Sequence, residues 1–163
     1  IIGLPEDKKL VNAIATYVNG FPGVRGTYDI VLDNFGPNEV LGGLHIEVDD
    51  AMDARQIHEL TRKITEGLAA KFRIRAIVGI YAANSQGQFA DMRADLQKIV
   101  AEEPAIGQVH GFYVDTADAT VYFDMVVDFS ADGEAVRDEV VKALAARYPD
   151  YSFDVVIDTD YEE

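Results

Sequence analysis

Three histidines and 29 acidic residues, with no cysteine, hold the metal-seeking and acid–base side chains of this 163-residue chain. The lack of thiols excludes disulfides, thiolate metal sites and thiol catalysis, leaving imidazole and carboxylate chemistry. One imidazole with two or three carboxylates suits Zn²⁺, Mn²⁺ or Fe²⁺ better than a soft ion such as Cu⁺. His45, Glu47 and Asp49 alternate so that a strand would carry all three on one face, with Asp33 of a neighbouring strand able to join them. The same alternation also describes a solvated strand face. His110 shares its alternation with Phe112 and Val114, which fits a buried, hydrogen-bonded histidine as well as a ligand. None of the histidines has a nucleophile placed beside it, so neither a Ser-His-Asp nor a Cys-His arrangement can be drawn. The loop Gly20-Phe21-Pro22-Gly23-Val24-Arg25 lacks both a glycine-rich phosphate cradle and the Asn that an acylphosphatase-like hydrolase needs beside its Arg. No catalysis is expected.

A formal net charge of −15 argues against nucleic acid, whose binding needs clustered Lys and Arg. Such acidity reads either as solubility or as attraction of cations, and charge alone does not choose between them. A 48% hydrophobic composition implies a real core, and no apolar run reaches the roughly 20 residues that cross a bilayer. The opening Ile1-Ile2-Gly3-Leu4-Pro5, without Met, reads as part of a longer polypeptide.

These side chains must be positioned by elements whose periods are legible. Leu10, Val11, Ile14, Tyr17 and Val18 recur at helical spacing, as do Ile57, Leu60, Ile64 and Leu68 after an Asp53/Gln56 capping box. Tyr28 to Asp33 and Val40 to Asp49 read as strands joined through Asn34-Phe35-Gly36-Pro37-Asn38, and Ile74 to Tyr81 as a third strand. The order then repeats. Phe89, Met92, Leu96, Ile99 and Val100 mark a helix, and Val109 to Val114 with Ala119 to Phe129 a hairpin. Val136, Val140, Leu144 and Tyr148 mark another helix, and Tyr151 to Asp158 the last strand. Val24-Arg25-Gly26-Thr27-Tyr28-Asp29-Ile30 overlies Ile106-Gly107-Gln108-Val109-His110-Gly111-Phe112, and Leu68-Ala69-Ala70-Lys71-Phe72 overlies Leu144-Ala145-Ala146-Arg147-Tyr148. The expected fold is therefore α+β: two tandem ferredoxin-like (αββαβ) units, residues 1–83 and 84–163, each a three-stranded sheet with two helices on one face. Units of this size sit near the lower limit for a core that stands alone, so packing of copy on copy or chain on chain is expected.

The first copy resembles the C-terminal cytosolic domain of the cation diffusion facilitator family, transporters that exchange divalent metal ions for protons. The resemblance rests on Pro22-Gly23-Val24, Tyr28-Asp29-Ile30, Phe35-Gly36-Pro37, Leu44-His45-Ile46-Glu47-Val48-Asp49 and Ile57-His58-Glu59-Leu60, in that order. The second copy is similar to an extra C-terminal unit that some members carry, through His110 to Asp115, Phe123 to Phe129 and Tyr148-Pro149-Asp150-Tyr151. The resemblance implies a regulatory, homodimerising module at the cytoplasmic face of the membrane, beside a transmembrane transport domain that lies outside this sequence. Ile1-Ile2-Gly3 would follow the last membrane helix.

Family members often bind zinc or similar ions through a His on the first strand, a His in the second helix and a His-x-Asp pair on the last strand. In the first copy these positions hold Tyr28, His58, Gly79 and Tyr81, so only His58 matches, and His45 with Asp33 supplies a sparser set. In the second copy the resemblance places His110 at the first His and Asp158 and Asp160 at the pair, with Asp124 nearby, as a site for Zn²⁺ or Mn²⁺ that folding does not require. A different reading is an ACT-like sensor of small molecules without metal, in which Gly26, Gly36, Gly42 and Gly43 let a ligand approach the backbone.

Overall fold

The computed structural model describes residues 5–34, 37–84 and 87–160. The chain divides into two compact units, Ile1–Tyr81 and Ala82–Glu163. Each is α+β.

In the first unit, α1 (Pro5–Asn19) precedes β1 (Gly26–Asn34) and β2 (Val40–Asp49), which pair antiparallel; α2 (Ala54–Phe72) and β3 (Ile74–Ala83) follow, and the sheet runs β1-β2-β3. Ile14 and Val18 from α1, Leu60, Ile64 and Leu68 from α2, and Leu44, Ile46 and Val48 from β2 bury their side chains in one core. That core covers one face of the sheet. The predicted capping box is present: Asp53 accepts from the Gln56 backbone N–H at 2.8 Å, and Gln56 accepts from the Asp53 backbone N–H at 2.9 Å. Phe35 and Gly36 of the predicted turn lie outside the described residues, as do Ser85 and Gln86 of the predicted linker and Ile1-Ile2-Gly3.

The second unit repeats the order with α3 (Gln88–Ala101), β4 (Ile106–Asp115), β5 (Thr120–Asp128), α4 (Gly133–Arg147) and β6 (Ser152–Asp160). β4 and β5 are antiparallel, and β6 joins β5 in parallel after the α4 crossover. On β5, Val121, Phe123, Met125 and Val127 face the core formed with Met92, Leu96, Val140 and Leu144, so Tyr122, Asp124 and Val126 face the other way. Asp95 is buried between α3 and α4, accepting from Arg147 at 2.9 Å and from the Tyr148 hydroxyl.

β1, β3 and β4 run longer than expected, β5 is one residue shorter at each end, and β6 starts one residue later and ends two residues later. β4 begins at Ile106 rather than Val109 because Ile106 pairs with Val127 and enters the core, although Gly107 and Gln108 interrupt the apolar pattern. Pairing, not local propensity, sets that end.

Both sheets carry a bulge at corresponding places, between Tyr28 and Val31 on β1 and between His110 and Tyr113 on β4. At its centre stand Asp29 (φ 55°) and Gly111 (φ 69°). Such an insertion breaks the two-residue alternation. The expected sharing of a face by His110, Phe112 and Val114 is thereby overturned: Phe112 and Val114 enter the core, while His110 stands across from Asp124 on the opposite side of the sheet.

Candidate metal centre

His110 is buried at the start of the β4 bulge, and its register partner is Asp124 on the central strand. Its Nε2 lies 3.4 Å from Asp124 Oδ2. On β6, Val156 stands beside Asp124 and Asp158 comes two residues later on the same face, within the diagonal reach of a cross-strand pair. His110, Asp124 and Asp158 each offer a ligand atom within 4.8 Å of the others. Three of the four residues expected in the second copy are therefore brought together. Asp160 pairs with Asp128 in the β5–β6 register, and its side chain lies outside the described ones.

The chemistry of this set is that of a partial coordination shell. Two ligand atoms on one tetrahedral Zn²⁺, with bonds of about 2.0–2.1 Å, stand about 3.3 Å apart, close to the His110–Asp124 spacing. Two carboxylates facing one imidazole also repel each other, and a divalent ion relieves that repulsion. His110 and the two carboxylates fit a borderline cation, with water completing the shell.

The set expected in the first copy is not assembled. Asp33 stands opposite Leu41, whereas His45 stands opposite Tyr28. His58 is exposed on α2, and among the described residues it joins no group of three metal-ligating side chains. The bulge instead turns Asp29 toward His45, placing Oδ2 3.2 Å from Nδ1. The Tyr81 hydroxyl also donates to Asp29, and the Tyr81 ring stacks on His45 with centroids 4.4 Å apart and 12° between planes. Gly79 makes room for this: a Cβ there would lie 2.5 Å from the His45 ring. Of the remaining face, Asp49 pairs with Arg25 at 2.8 Å, and Glu47 is buried.

Sequence reasoning missed Asp29 and Tyr81, yet a signal for them existed. Leu44-His45-Ile46-Glu47-Val48-Asp49 overlies Phe123-Asp124-Met125-Val126-Val127-Asp128, and Gly79 and Tyr81 overlie Asp158 and Asp160. His45 thus takes the place of Asp124, and Tyr28 that of His110. The imidazole has changed strands between the copies.

Residues 6–80 match the family described as "Cation efflux protein, cytoplasmic domain". The first unit thus resembles a cation efflux cytoplasmic domain. Among curated proteins, the cation-efflux pump FieF of Serratia proteamaculans (strain 568) is 33% identical over 69 residues, which span 42% of this chain and 22% of that pump. FieF of Cronobacter sakazakii (strain ATCC BAA-894) is 30% identical over the same extent. The chain thus corresponds to about a fifth of these relatives. Among solved structures, the MamM CTD in a nickel form (24% identity, TM-score 0.44) and a cadmium form (23%, 0.45) match 47% and 48% of this chain and 99% of theirs.

Proposed function

We propose that this chain is the regulatory and dimerising part of a divalent-cation/proton antiporter, held at the cytoplasmic face of the membrane by its own transport domain. Residues 1–83 act as the dimerisation-type domain and residues 84–163 as a second repeat that senses Zn²⁺ or Mn²⁺. The convergence of His110, Asp124 and Asp158 on one sheet face carries the sensing role. The metal competes with protons for all three groups, so occupancy falls on acidification. A role in regulation rather than turnover accords with the cation-efflux family, whose transport belongs to the membrane part.

Dimerisation draws support from the open face of the first sheet. Val31 on β1 and Ile77 on β3 are 66% and 81% exposed, and Gly43, opposite Val31, leaves the strip between the outer strands flat. Burying two such residues against a second copy contributes roughly 1.5–3 kcal/mol each. Two of the four glycines of the sensor reading, Gly26 and Gly42, have internal uses. A Cβ at Gly26 would meet the Tyr28 ring within 3 Å, and one at Gly42 would meet Ile74 and Leu32 at 3.1 and 3.2 Å. Sedimentation velocity tests the dimer: the parent chain is expected to associate with rising concentration and Ile77→Asp to remain monomeric. Equal association by both would remove this face from the dimer.

A further inference from the structure

The second sheet carries a separate feature beyond the metal centre. Tyr113 and Tyr122 face each other in the β4–β5 register, with ring centroids 6.3 Å apart and planes 27° from parallel. Tyr113 is 54% exposed, and Val156 on β6 is 51% exposed. Tyr113 thus presents ring surface to water on this sheet face, with the half-buried Tyr122 stacked beside it.

Carboxylates surround the pair. Asp154 stands opposite Tyr122 on β6, and Asp115 and Asp118 stand at the adjoining hairpin. Asp115 accepts from the Ala117 backbone N–H at 2.9 Å and Asp118 from that of Thr120 at 3.1 Å. These turn bonds fix the carboxylates without neutralising them. None of the three forms an ion pair with a Lys or Arg among the described residues. The surrounding unit offers no relief, since residues 82–163 contain 18 Asp and Glu against five Lys and Arg, whereas residues 1–81 contain 11 against nine.

Ring faces attract cations through their quadrupole, and carboxylates pair with ammonium and guanidinium groups. We propose that the Tyr113–Tyr122 stack and its carboxylates form a docking surface for a Lys- or Arg-bearing segment of a partner protein. A cationic side chain lies over the exposed Tyr113 ring while its neighbours reach Asp118 and Asp154. Val156 takes the aliphatic stem that such side chains lay along apolar surface. Charge complementarity selects this occupant: an acidic or purely apolar segment would leave the carboxylates uncompensated.

The test uses the full chain and a fluorescent peptide of alternating arginine and glycine, followed by anisotropy, with unlabelled spermidine as a second probe. Saturable peptide binding is expected. The pair Asp118→Asn, Asp154→Asn should weaken it about tenfold, and Tyr113→Leu, which keeps an apolar side chain without the ring, roughly fivefold. Glu102→Gln with Glu139→Gln removes the same charge from exposed positions, just past the end of α3 and on α4, and should change affinity by less than about twofold. Equal weakening by the two charge-removing pairs would reduce the surface to nonspecific acidity and overturn the proposal. So would an absence of peptide binding, or spermidine binding that follows the same variants while the peptide does not bind.

Discussion

At the scale of single residues, the two copies spend the same place on their sheets differently. In the second, an imidazole and two carboxylates converge; in the first, a carboxylate is held by a phenol and lies beside an imidazole. In the first the Tyr81 hydroxyl donates to Asp29, while His45 Nδ1 is buried without a hydrogen bond. Asp95 is another internally satisfied acid, joined to Arg147 and Tyr148. Asp95→Ala strands a partly buried hydroxyl, and urea unfolding should show a loss of roughly 2 kcal/mol, much of it restored in Asp95→Asn. An unchanged midpoint for Asp95→Ala would show that these bonds contribute nothing net. Asp128 gives a pH prediction. The Ser130 backbone N–H, followed by the Ser130 hydroxyl, lowers its pKa. A folded-state pKa below the unfolded value stabilises the protein above the unfolded value, and that contribution fades as pH falls through the folded one. Asp128→Asn should therefore lose less stability than the parent between about pH 5 and pH 2. Parallel losses in both proteins would count against this assignment.

At the scale of elements, the bulges decide what the strands can do. The helices were legible because apolar residues three and four apart form a stripe, and the Asp53 cap announced α2. The bulges left only a faint mark, the poor strand formers Asp29 and Gly111 set inside otherwise apolar strand patterns. Treating β4 as an unbroken strand put His110 on the face of Phe112, whereas the insertion moves it to that of Asp124. Gly111, at φ 69°, is the residue that permits this turn. Gly111→Ala should cost about 1 kcal/mol of stability and shift His110, observable as a changed imidazole environment by NMR. The corresponding Asp29 holds φ 55° as a non-glycine residue, with its carboxylate engaged by Tyr81. An alanine variant with parent stability and an unmoved His110 spectrum would show that the bulge does not position the ligand.

At the scale of the whole molecule, one αββαβ pattern is written twice with different charge. The duplication was visible from two aligned segments, and so were three of the second copy's converging residues, His110, Asp124 and Asp158. The first-copy set of His45, His58 and Asp33 was not realised, because a helix position and two strand positions remote in register cannot meet. The first unit carries the likeness to cation-efflux proteins, while most of the negative charge lies in the second. This division is what a regulator needs if one unit holds the assembly and the other reads the cation. Calorimetric titration of the metal-stripped chain with Zn²⁺ and Mn²⁺, beside a His110→Ala, Asp158→Ala double variant, addresses that claim directly. The account predicts saturable binding by the parent, with a Kd of order micromolar, and its loss in the double variant. Undiminished binding by the variant, or none by the parent, would contradict a metal-sensing second unit.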